Sequence, residues 1–334
     1  MSVLIIAEAG VNHNGDLSLG EKLIEVAADC GADFVKFQTF TAENLVTPNT
    51  KVAEYQMNNS EKDNTQLNLL KKLELSRDQH IKLKQKSADL NINFMSTAFD
   101  VESSDFLKEL GQEVFKIPSG EITNLPLLRH IGKYQKEVIL SSGASNMSEI
   151  NAALEVLTSA GTLLNQITVL HCTSAYPANF NEVNLLAMGK IATEFGVKVG
   201  YSDHTLGIEI AIAAVALGAT IIEKHFTLSR NMEGPDHKSS LEPDELNQMI
   251  KSIRNVEKAF GDGIKKATLG ELQNVNLIRR SIVAKKSINK GELFNEDNLT
   301  SKRPASGISP MNWESILGKI AKRNYFVDEM IERE

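Results

Sequence analysis

The stretch TIIEKHFTL, residues 220–228, has two contrasting halves, and its pattern decides how the rest of the chain is interpreted. Its first half is apolar, as in a β-strand that is buried on both faces. Its second half carries Glu223, Lys224 and His225, three titratable side chains that a hydrophobic core excludes unless they are paired. A buried start and a polar end are typical of a parallel strand that leads to a functional site. We therefore predict a strand over 220–226 whose titratable groups face a reaction centre.

Seven further segments have the same character, and helix-like segments separate most of them. Near-continuous apolar strands that alternate with helices predict a parallel sheet covered by helices. Eight such units favour a closed (β/α)8 TIM barrel, an α/β fold, over an open sheet. The predicted strands are VLIIAEAG (3–10), DFVKFQTF (33–40), INFMSTAF (92–99), EVFKIPSG (113–120), EVILSSG (137–143), ITVLHCT (167–173), KVGYSDH (198–204) and TIIEKHF (220–226).

One connection in this pattern is unusually long. The second and third predicted strands begin at 33 and 92, about twice the spacing of the other neighbouring pairs. The excess is the stretch 41–75, which is rich in Asn, Thr, Lys and Glu. Because it follows a strand, a barrel would place it on the active face, as a lid or binding loop. A solvated decoration without a role is the alternative.

The pattern breaks after the predicted helix at 243–260. The stretch GDGIKKATLGE is rich in Gly and polar residues, as a linker is. The tail has short strands and turn signals and is long enough for a small second domain. We predict a TIM-barrel catalytic domain over 1–262, a linker over 263–279 and a β-rich domain over 280–334.

Composition excludes several classes of protein. The 334 residues are 42% hydrophobic and 24% charged, with a formal net charge of -7 and no dominant Lys/Arg block. This argues against nucleic acid as a partner. No run is long enough to span a membrane, and the N-terminus does not have the pattern of a signal peptide. Cys30 and Cys172 lie in apolar segments and are expected to be buried thiols rather than a disulfide. These features predict a cytoplasmic protein without a membrane partner.

Every predicted strand ends in polar side chains, which together predict one convergent site. Lys36 and Lys116 end the second and fourth strands, and two ammonium groups with nearby serine hydroxyls suit a phosphate or carboxylate. His204 and His225 end adjacent strands and could share one divalent cation. Two hydrogen-bonded histidines without a metal are the alternative. The serines are Ser119, Ser141 and Ser202.

Motifs along nearly the whole chain resemble the sialic acid synthase family, and the tail resembles its C-terminal antifreeze-like (SAF) domain. Within the family, the motifs are most similar to those of the N,N'-diacetyllegionaminate synthases. Ser174 stands where the family commonly has Asn. The motifs are AEAGVNHNG (7–15), FVKFQTF (34–40), FKIPSGEITNLP (115–126), YSDHT (201–205), EKHFT (223–227), GPDH (234–237) and the tail segment NKGELFNEDNLTSKRPASGIS.

The resemblance implies a phosphoenolpyruvate-dependent synthase. Such an enzyme condenses phosphoenolpyruvate with an open-chain N-acylated mannose-type sugar, and the best match is 2,4-diacetamido-2,4,6-trideoxy-D-mannose. The products are phosphate and a nine-carbon 2-keto-3-deoxy acid, here N,N'-diacetyllegionaminate. N-Acetylneuraminate and pseudaminate synthases are the alternatives within the family. The resemblance also implies a divalent metal ion, preferably Mn²⁺ with Mg²⁺ or Co²⁺ as alternatives, and a domain-swapped homodimer.

The resemblance assigns roles residue by residue. His204 and His225 match the metal ligands, and Arg303 matches an arginine that a partner subunit places over the active site. Lys224 is expected to orient a carboxylate. The phosphoenolpyruvate-binding set is Lys36, Lys116, Ser119, Ser141, Ser174 and Ser202, the sugar-binding set is Gln38, Tyr176, Asp236 and Arg303, and the catalytic set is Glu8, Glu121, Lys116 and Asp236.

Two other functions are compatible with the residues. A Schiff-base aldolase or lyase would use Lys116 or Lys224 as its nucleophile and would need no metal. A non-catalytic carbohydrate- or ice-binding protein built around the tail would need no polar strand ends in a barrel. Borohydride trapping separates the first from a synthase, and consumption of phosphoenolpyruvate separates the second.

Overall fold

The computed structural model describes residues 2–51 and 65–332. The chain divides into two compact units, Met1–Phe260 and Gly261–Glu334. The middle of the long stretch 41–75 lies outside the described residues. Only the two ends of this stretch are therefore compared below with the prediction of a lid or binding loop. Within the described residues, no helix is long and apolar enough to cross a membrane.

The first unit is a closed barrel of eight parallel strands in sequence order, which confirms the predicted TIM barrel. The first and last strands pair with each other and close the sheet. The strands are β1 Leu4–Gly10, β2 Phe34–Thr39, β3 Asn93–Ala98, β4 Val114–Ile117, β5 Glu137–Ser141, β6 Ile167–Cys172, β7 Lys198–Asp203 and β8 Ile221–His225.

Helices cover the outside of the barrel and begin and end at recognisable signals. Asp16 caps the first helix by accepting from the amides of Ser18 and Leu19, and Gly31 ends it in the left-handed conformation. The described helices of this unit are α1 Leu17–Cys30, α2 Ala42–Leu45, α3 Gln66–Leu73, α4 Arg77–Asp89, α5 Val101–Glu109, α6 Leu125–Gly132, α7 Met147–Ala160, α8 Leu186–Phe195, α9 Glu209–Ala216 and α10 Pro243–Ala259.

The strand pleat gives the barrel interior two layers of opposite chemistry. Side chains two residues apart on a strand share a face, so Ile221 and Glu223 of β8 both face inward. We call the apolar side chains near the strand starts the lower layer and the next inward residues the upper layer. The lower layer is Ile6, Met95, Ile139, Leu170 and Ile221, with Phe34 and Val114 packed against it. The upper layer is Glu8, Lys36, Thr97, Lys116, Ser141, Cys172, Ser202 and Glu223, all buried.

The second unit is small and has its own apolar core. Helix α11 (Leu269–Ile278) lies within the stretch 263–279, where the sequence predicts only a linker. Strands β9 (Ser281–Ala284) and β10 (Leu299–Lys302) pair in the antiparallel sense. The core contains Ile282, Ala284, Ile288, Phe294, Leu299, Ile308, Ile316, Ala321, Tyr325 and Ile331.

The two cysteines are free thiols. Cys172 is buried, as predicted, and its side chain belongs to the upper layer of the barrel. Cys30 is only half-buried, so the prediction that it is a core thiol is wrong. It is the last residue of α1, and its Sγ lies 3.5 Å from the carbonyl oxygen of Pro243.

Candidate active site

A cavity of about 250 Å³ lies at the carboxyl ends of the barrel strands, above the upper layer. One more step of two residues along the strands brings Gln38, Ser174, His204 and His225 to its mouth. Most of the predicted site residues of the first unit line this cavity. They are Glu8, Lys36, Gln38, Lys116, Ser119, Ser141, Ser174, Tyr176, Ser202, His204, His225 and Asp236.

The cavity floor holds four charged side chains in one network. The Lys36 ammonium nitrogen lies 2.7 Å from Glu8 Oε2 and 3.6 Å from Glu223 Oε2. The Lys116 ammonium nitrogen lies 3.7 Å from Glu223 Oε1. None of the four residues is more than 4% exposed, so water screens these charges poorly. Glu223 therefore bridges the two lysines, and each buried charge has a partner of opposite sign.

Hydroxyl groups complete the hydrogen bonding of this network. Lys36 donates to Thr97 Oγ1 over 3.0 Å, and Lys116 donates to Ser141 Oγ over 2.7 Å. The hydroxyl of Ser202 donates to Glu223 Oε1 over 3.0 Å. These bonds run between neighbouring strands, so the barrel register sets the positions of both ammonium groups.

The two carboxyl groups of the floor titrate in opposite directions. Burial raises the pKa of Glu8 to about 7, although Lys36 opposes the shift. Burial also acts on Glu223, but the ammonium groups of Lys116 and Lys36 outweigh it and lower its pKa to about 2. Because part of Glu8 is protonated near neutral pH, the floor carries an excess of positive charge. Such a floor suits a multiply charged anion.

The β4–β6 side of the mouth presents further hydroxyl groups. Ser119 Oγ accepts from the amide of Gly143 over 2.9 Å and lies 3.2 Å from Cys172 Sγ. A Cβ added at Gly143 would lie 2.8 Å from Ser119 Oγ and 2.9 Å from Cys172 Sγ, and it would overlap Ser174 Oγ. Only glycine therefore leaves the space in which these groups meet.

His204 and His225 lie side by side at the mouth, with ring centroids 5.5 Å apart. The Nδ1–H of His204 donates to the carbonyl oxygen of Thr173 over 2.7 Å, which leaves Nε2 with a free lone pair. His225 Nδ1 is buried without a hydrogen-bond partner. Burial lowers the pKa of both imidazoles, so both are neutral at pH 7, as metal ligands must be.

This donor set fits a divalent cation. Two neutral imidazoles with open lone pairs are common ligands of first-row metals. Among the residues that the structure describes, no group of three or more His, Cys, Asp or Glu side chains is arranged to hold a metal.

Tyr176, Gln38 and Asp236 surround the histidines. The ring of Tyr176 lies 4.2 Å from that of His204, between centroids. Asp236 Oδ2 lies 3.7 Å from His225 Nδ1, and burial raises the pKa of Asp236 to about 6. Gln38 Nε2 lies 3.3 Å from Glu8 Oε1. These groups could orient the hydroxyl and amide groups of a sugar.

A polar network fixes the loop that carries Asp236. Asn12 Nδ2 donates to the carbonyl oxygen of Phe226 over 2.8 Å and to Ser240 Oγ over 3.0 Å. Ser240 Oγ in turn donates to the carbonyl oxygen of Asp236 over 2.7 Å. The residues after β8 are therefore tied to the end of β1, which positions Asp236 beside His225.

One side of the cavity is apolar. Five side chains line it, and we call them the apolar wall: Val11 after β1, Leu69, Leu70 and Leu73 of α3, and Phe99 after β3. The long stretch between β2 and β3 therefore contributes to the cavity, as its position after a strand predicts. Residues 52–64 of that stretch lie outside the described residues.

Two predicted site residues stand apart from this set. Glu121 lies in a short turn after β4, where its Oε2 accepts from Asn124 Nδ2 over 2.6 Å. Arg303 is exposed and belongs to the second unit. The structure therefore does not bring Glu121 to the cavity, and the role of Arg303 stays a prediction.

The trio Glu223, Lys224 and His225 does not face one way. Glu223 and His225 face the cavity, and Lys224 does not. The prediction that all three titratable groups face the reaction centre is therefore wrong for Lys224. Its ammonium nitrogen lies 2.7 Å from Asp203 Oδ2 and 2.6 Å from the carbonyl oxygen of Thr205, and it lines no part of the cavity. Alternation along a strand explains this, because neighbouring residues point to opposite faces. The expected carboxylate partner of Lys224 is Asp203, beside His204.

The sequence predicts that Glu223 faces the reaction centre, but it assigned no role in the site to Glu223 or to Thr97. Both are inward-facing residues of the upper layer, where Thr97 is in register with Lys116 and Glu223 is in register with Ser202. The signal that could have found Glu223 is its spacing of two residues from His225, since both must share a face. The apolar wall gave no comparable signal, because α3 has no fixed register with the strands.

Comparisons with known proteins agree with this geometry. The model of the NeuB family matches residues 23–265, and the model of the SAF domain matches residues 279–332. An N,N'-diacetyllegionaminic acid synthase of Campylobacter jejuni is 58% identical over 98% of this chain and 98% of its own length. A synthase of the same name from Legionella pneumophila is 45% identical over 97% of this chain and 92% of its own length.

A solved structure supports the same relationship. The N-acetylneuraminic acid synthetase of Leptospira borgpetersenii, in complex with citrate, is 36% identical and has a TM-score of 0.73. The match covers 82% of this chain and 90% of that one.

Proposed function

The chain belongs to the NeuB family, and we propose that it is an N,N'-diacetyllegionaminate synthase. In this function it condenses phosphoenolpyruvate with 2,4-diacetamido-2,4,6-trideoxy-D-mannose and releases phosphate. The observation that carries the proposal is one cavity in which Lys36 and Lys116 lie beneath the neutral pair His204 and His225. The identity with the Campylobacter jejuni synthase supports this choice within the family.

The positive floor would hold phosphoenolpyruvate. Lys36 and Lys116 offset the charge of its phosphate and carboxylate, while ionised Glu223 keeps both ammonium groups in place. The hydroxyls of Ser119, Ser141, Ser174 and Ser202 would donate to its oxygens. The substrate would be fixed with C3 directed towards the mouth, which is a positioning effect.

The chemistry is a carbon–carbon bond formation followed by loss of phosphate. The electrons of the C2–C3 double bond form a bond from C3 to the aldehyde carbon of the acceptor, whose oxygen takes up a proton. Water then adds at C2. The intermediate releases phosphate by cleavage of the bond from C2 to the phosphate oxygen, which leaves the 2-keto group.

The residues at the mouth would orient the acceptor and handle protons. Members of the family generally depend on a metal, and His204 and His225 would hold it here. The bound ion, preferably Mn²⁺ with Mg²⁺ or Co²⁺ as alternatives, supplies Lewis acidity to the aldehyde. Gln38, Tyr176 and Asp236 would bind sugar hydroxyl and amide groups.

Two carboxyl groups are proposed for the proton transfers. Glu8, whose pKa of about 7 suits both giving and taking a proton, lies on the floor beside Lys36. Glu121 is proposed to steer the attacking water. For that role it would exchange its hydrogen bond with Asn124 for one to the water molecule.

We also propose that the enzyme acts as a domain-swapped homodimer. Helix α11 contains no buried residue, and Leu269, Leu272, Leu277 and Ile278 are all exposed. Such an apolar helix would be covered if it lay against a second subunit. Arg303 of the second unit would then lie over a partner's cavity. A cytoplasmic location, where phosphoenolpyruvate is formed, completes the proposal.

The decisive experiment is an acceptor panel with phosphoenolpyruvate. We expect rapid phosphate release with 2,4-diacetamido-2,4,6-trideoxymannose and much slower release with N-acetylmannosamine or the altrose isomer. Phosphoenolpyruvate labelled with ¹⁸O at its bridging position should yield labelled phosphate, since the C–O bond breaks. A preference for either other sugar would reassign the protein to N-acetylneuraminate or pseudaminate synthesis.

Borohydride trapping and chelation separate the synthase from a Schiff-base enzyme. Burial lowers the pKa of Lys116, which is a property that a nucleophilic lysine also needs. Borohydride with pyruvate should nevertheless trap no adduct, and a chelator should abolish phosphate release. A trapped lysine together with activity in the chelator would overturn the proposal.

A further inference from the structure

We propose that the apolar wall determines which acceptor sugar is used, because it contacts the end of the sugar that carries the 6-deoxy position. The inference rests on the proposed function and names the part of the chain that would choose among acceptors. The wall would contact the methyl group of a 6-deoxy sugar and the methyl of its 4-acetamido group. It would disfavour an acceptor that carries hydroxyls at these positions.

The wall belongs to a separate apolar cluster above the barrel. Leu69, Leu73 and Val11 are each 5% exposed and pack with Phe40. Leu70 and Phe99 are half-buried and pack against the same cluster. The cluster is separate from the main core, so its exposed edge is available to line the cavity.

The wall lies on the side of the cavity mouth where the sugar carbons remote from the aldehyde would bind. The other sides of the mouth carry the hydroxyl groups and the imidazoles. The residues of the wall follow β1, β2 and β3. The hydroxyls proposed for phosphoenolpyruvate lie on the β4–β7 side, and the imidazoles lie at the ends of β7 and β8. An aldehyde placed at the imidazoles and a C3 atom placed over the floor direct the remaining sugar carbons towards β1–β3.

Close packing holds α3 in this position. Gly15 has φ +78°, and a Cβ there would overlap the carbonyl oxygen of Lys72 in α3. The absence of a side chain at Gly15 lets the loop after β1 approach the helix backbone. The amide of Ala42 donates to the carboxylate of Glu74, which ties the end of α3 to α2. The wall is therefore a fixed surface against which a methyl group can pack.

The chemistry of this side of the mouth favours methyl groups over hydroxyls. At the level of the mouth, its polar side chain is Gln38, whose amide lies within hydrogen-bond distance of Glu8, while Glu8, Lys36 and Thr97 lie deeper, at the floor. A hydroxyl turned towards leucine and phenylalanine loses its hydrogen bonds with water without replacement. An apolar pocket discriminates against an added hydroxyl by about a hundredfold at most. We therefore expect a preference that one polar substitution can largely remove.

The test compares two leucines of the same cluster. Leu70 lines the cavity, whereas Leu45 packs on the cluster without lining it, and both are half-buried. Leu70→Gln and Leu45→Gln would each be assayed for kcat/KM with the trideoxy acceptor and with N-acetylmannosamine. The KM for phosphoenolpyruvate and the thermal unfolding midpoint would be measured for both variants.

We expect Leu70→Gln to lower the ratio of the two kcat/KM values at least about tenfold, at unchanged KM for phosphoenolpyruvate. Leu45→Gln should leave that ratio unchanged. Leu70→Ala should weaken use of the trideoxy acceptor without improving use of N-acetylmannosamine, and it serves if the Gln variant does not fold. Equal losses with both acceptors in the Leu70 variants would overturn the role of the wall while leaving the proposed function intact. A wild-type protein that releases phosphate with neither acceptor would refute the proposed function instead.

Discussion

The lower and upper layers of the barrel interior are built on the same strands, one pleat apart, and have opposite chemistry. The lower layer contains Ile221 on β8, and the next inward residue of the same strand is Glu223. The lower layer gains stability by removing apolar surface from water. The upper layer buries charges that can only offset one another's desolvation. The difference indicates that the upper layer is retained for chemistry and that the lower layer is retained for stability.

The largest expected effect comes from the histidine pair above the upper layer. We expect His225→Ala to lower kcat/KM at least about a thousandfold, because the polarisation of the aldehyde is worth several kcal/mol. Binding of Mn²⁺, followed by electron paramagnetic resonance, should weaken in parallel. The thermal unfolding midpoint should change little. Near-normal turnover in this variant would remove the metal assignment.

A second test compares the two layers on one strand. Glu223→Gln leaves Lys36 and Lys116 without their shared carboxylate, and we expect the free energy of unfolding to fall by about 3–5 kcal/mol. Ile221→Val, in the lower layer, should lower it by about 1 kcal/mol. Activity should disappear in the first variant and persist in the second. Urea unfolding and phosphate release measure both effects, and equal behaviour of the two variants would contradict the comparison.

The pH dependence of stability should differ between the first and the second unit. All seven histidines lie in the first unit. Burial lowers the pKa of His13 to about 4, below its value in the unfolded chain, so its contribution to stability is complete above about pH 6.5. Between pH 6.5 and 5 the unfolded chain binds the proton at His13 more strongly, so the contribution of His13 to the stability of the first unit should fall by about 2 kcal/mol. Burial raises the pKa of Glu8 and of Asp236, so these two carboxyl groups act in the opposite direction, and the comparison with a His13 variant isolates the histidine.

The two units can be followed separately in this experiment. The single tryptophan, Trp313, lies in the second unit, so its fluorescence follows that unit, while circular dichroism is dominated by the barrel. On acidification from pH 6.5 to 5, the free energy of unfolding of the barrel should fall more, or rise less, in the wild type than in His13→Asn. An equal change in the two proteins would show that other groups cause it.

The smallest effect is expected at Arg303. If this residue contacts the acceptor in a partner's cavity, Arg303→Ala should raise the KM for the sugar about tenfold, since a charge-assisted hydrogen bond is worth about 1.5–3 kcal/mol. The KM for phosphoenolpyruvate should stay the same. Mixing this variant with inactive His225→Ala should restore part of the activity, because one cavity of the mixed dimer then has both residues. An effect on phosphoenolpyruvate alone would contradict the cross-subunit role.

The fold was predictable because each strand of a parallel barrel is a short apolar run with a polar end. The predicted strand 137–143 and helix 147–161 correspond to β5 and α7 within one or two residues. The boundaries at 262, 263, 279 and 280 remain a prediction. Helix α11 was missed because its first residues belong to the Gly-rich polar stretch GDGIKKATLGE and it contains no buried residue that would give it a periodic face.

Membership of the site was predictable for those residues whose position at the end of a strand is sufficient to place them there. Lys36, Lys116, His204 and His225 were found because each ends a strand. The outward direction of Lys224 and the inward direction of Glu223 needed the pleat as well. The wall formed by α3 depends on how a helix packs over the barrel mouth, and sequence spacing does not encode that packing.

The most direct test of the central claim is the double variant Glu8→Leu/Lys36→Met, which removes one carboxyl and one ammonium group from the upper layer. The free energy of unfolding at neutral pH and the binding of phosphoenolpyruvate would be measured on the same protein. The account predicts a protein at least as stable as the wild type, since apolar residues often replace buried ion pairs with a gain of about 1–4 kcal/mol, and no detectable binding. A protein that loses stability by several kcal/mol yet binds phosphoenolpyruvate normally would show that the charges serve the fold.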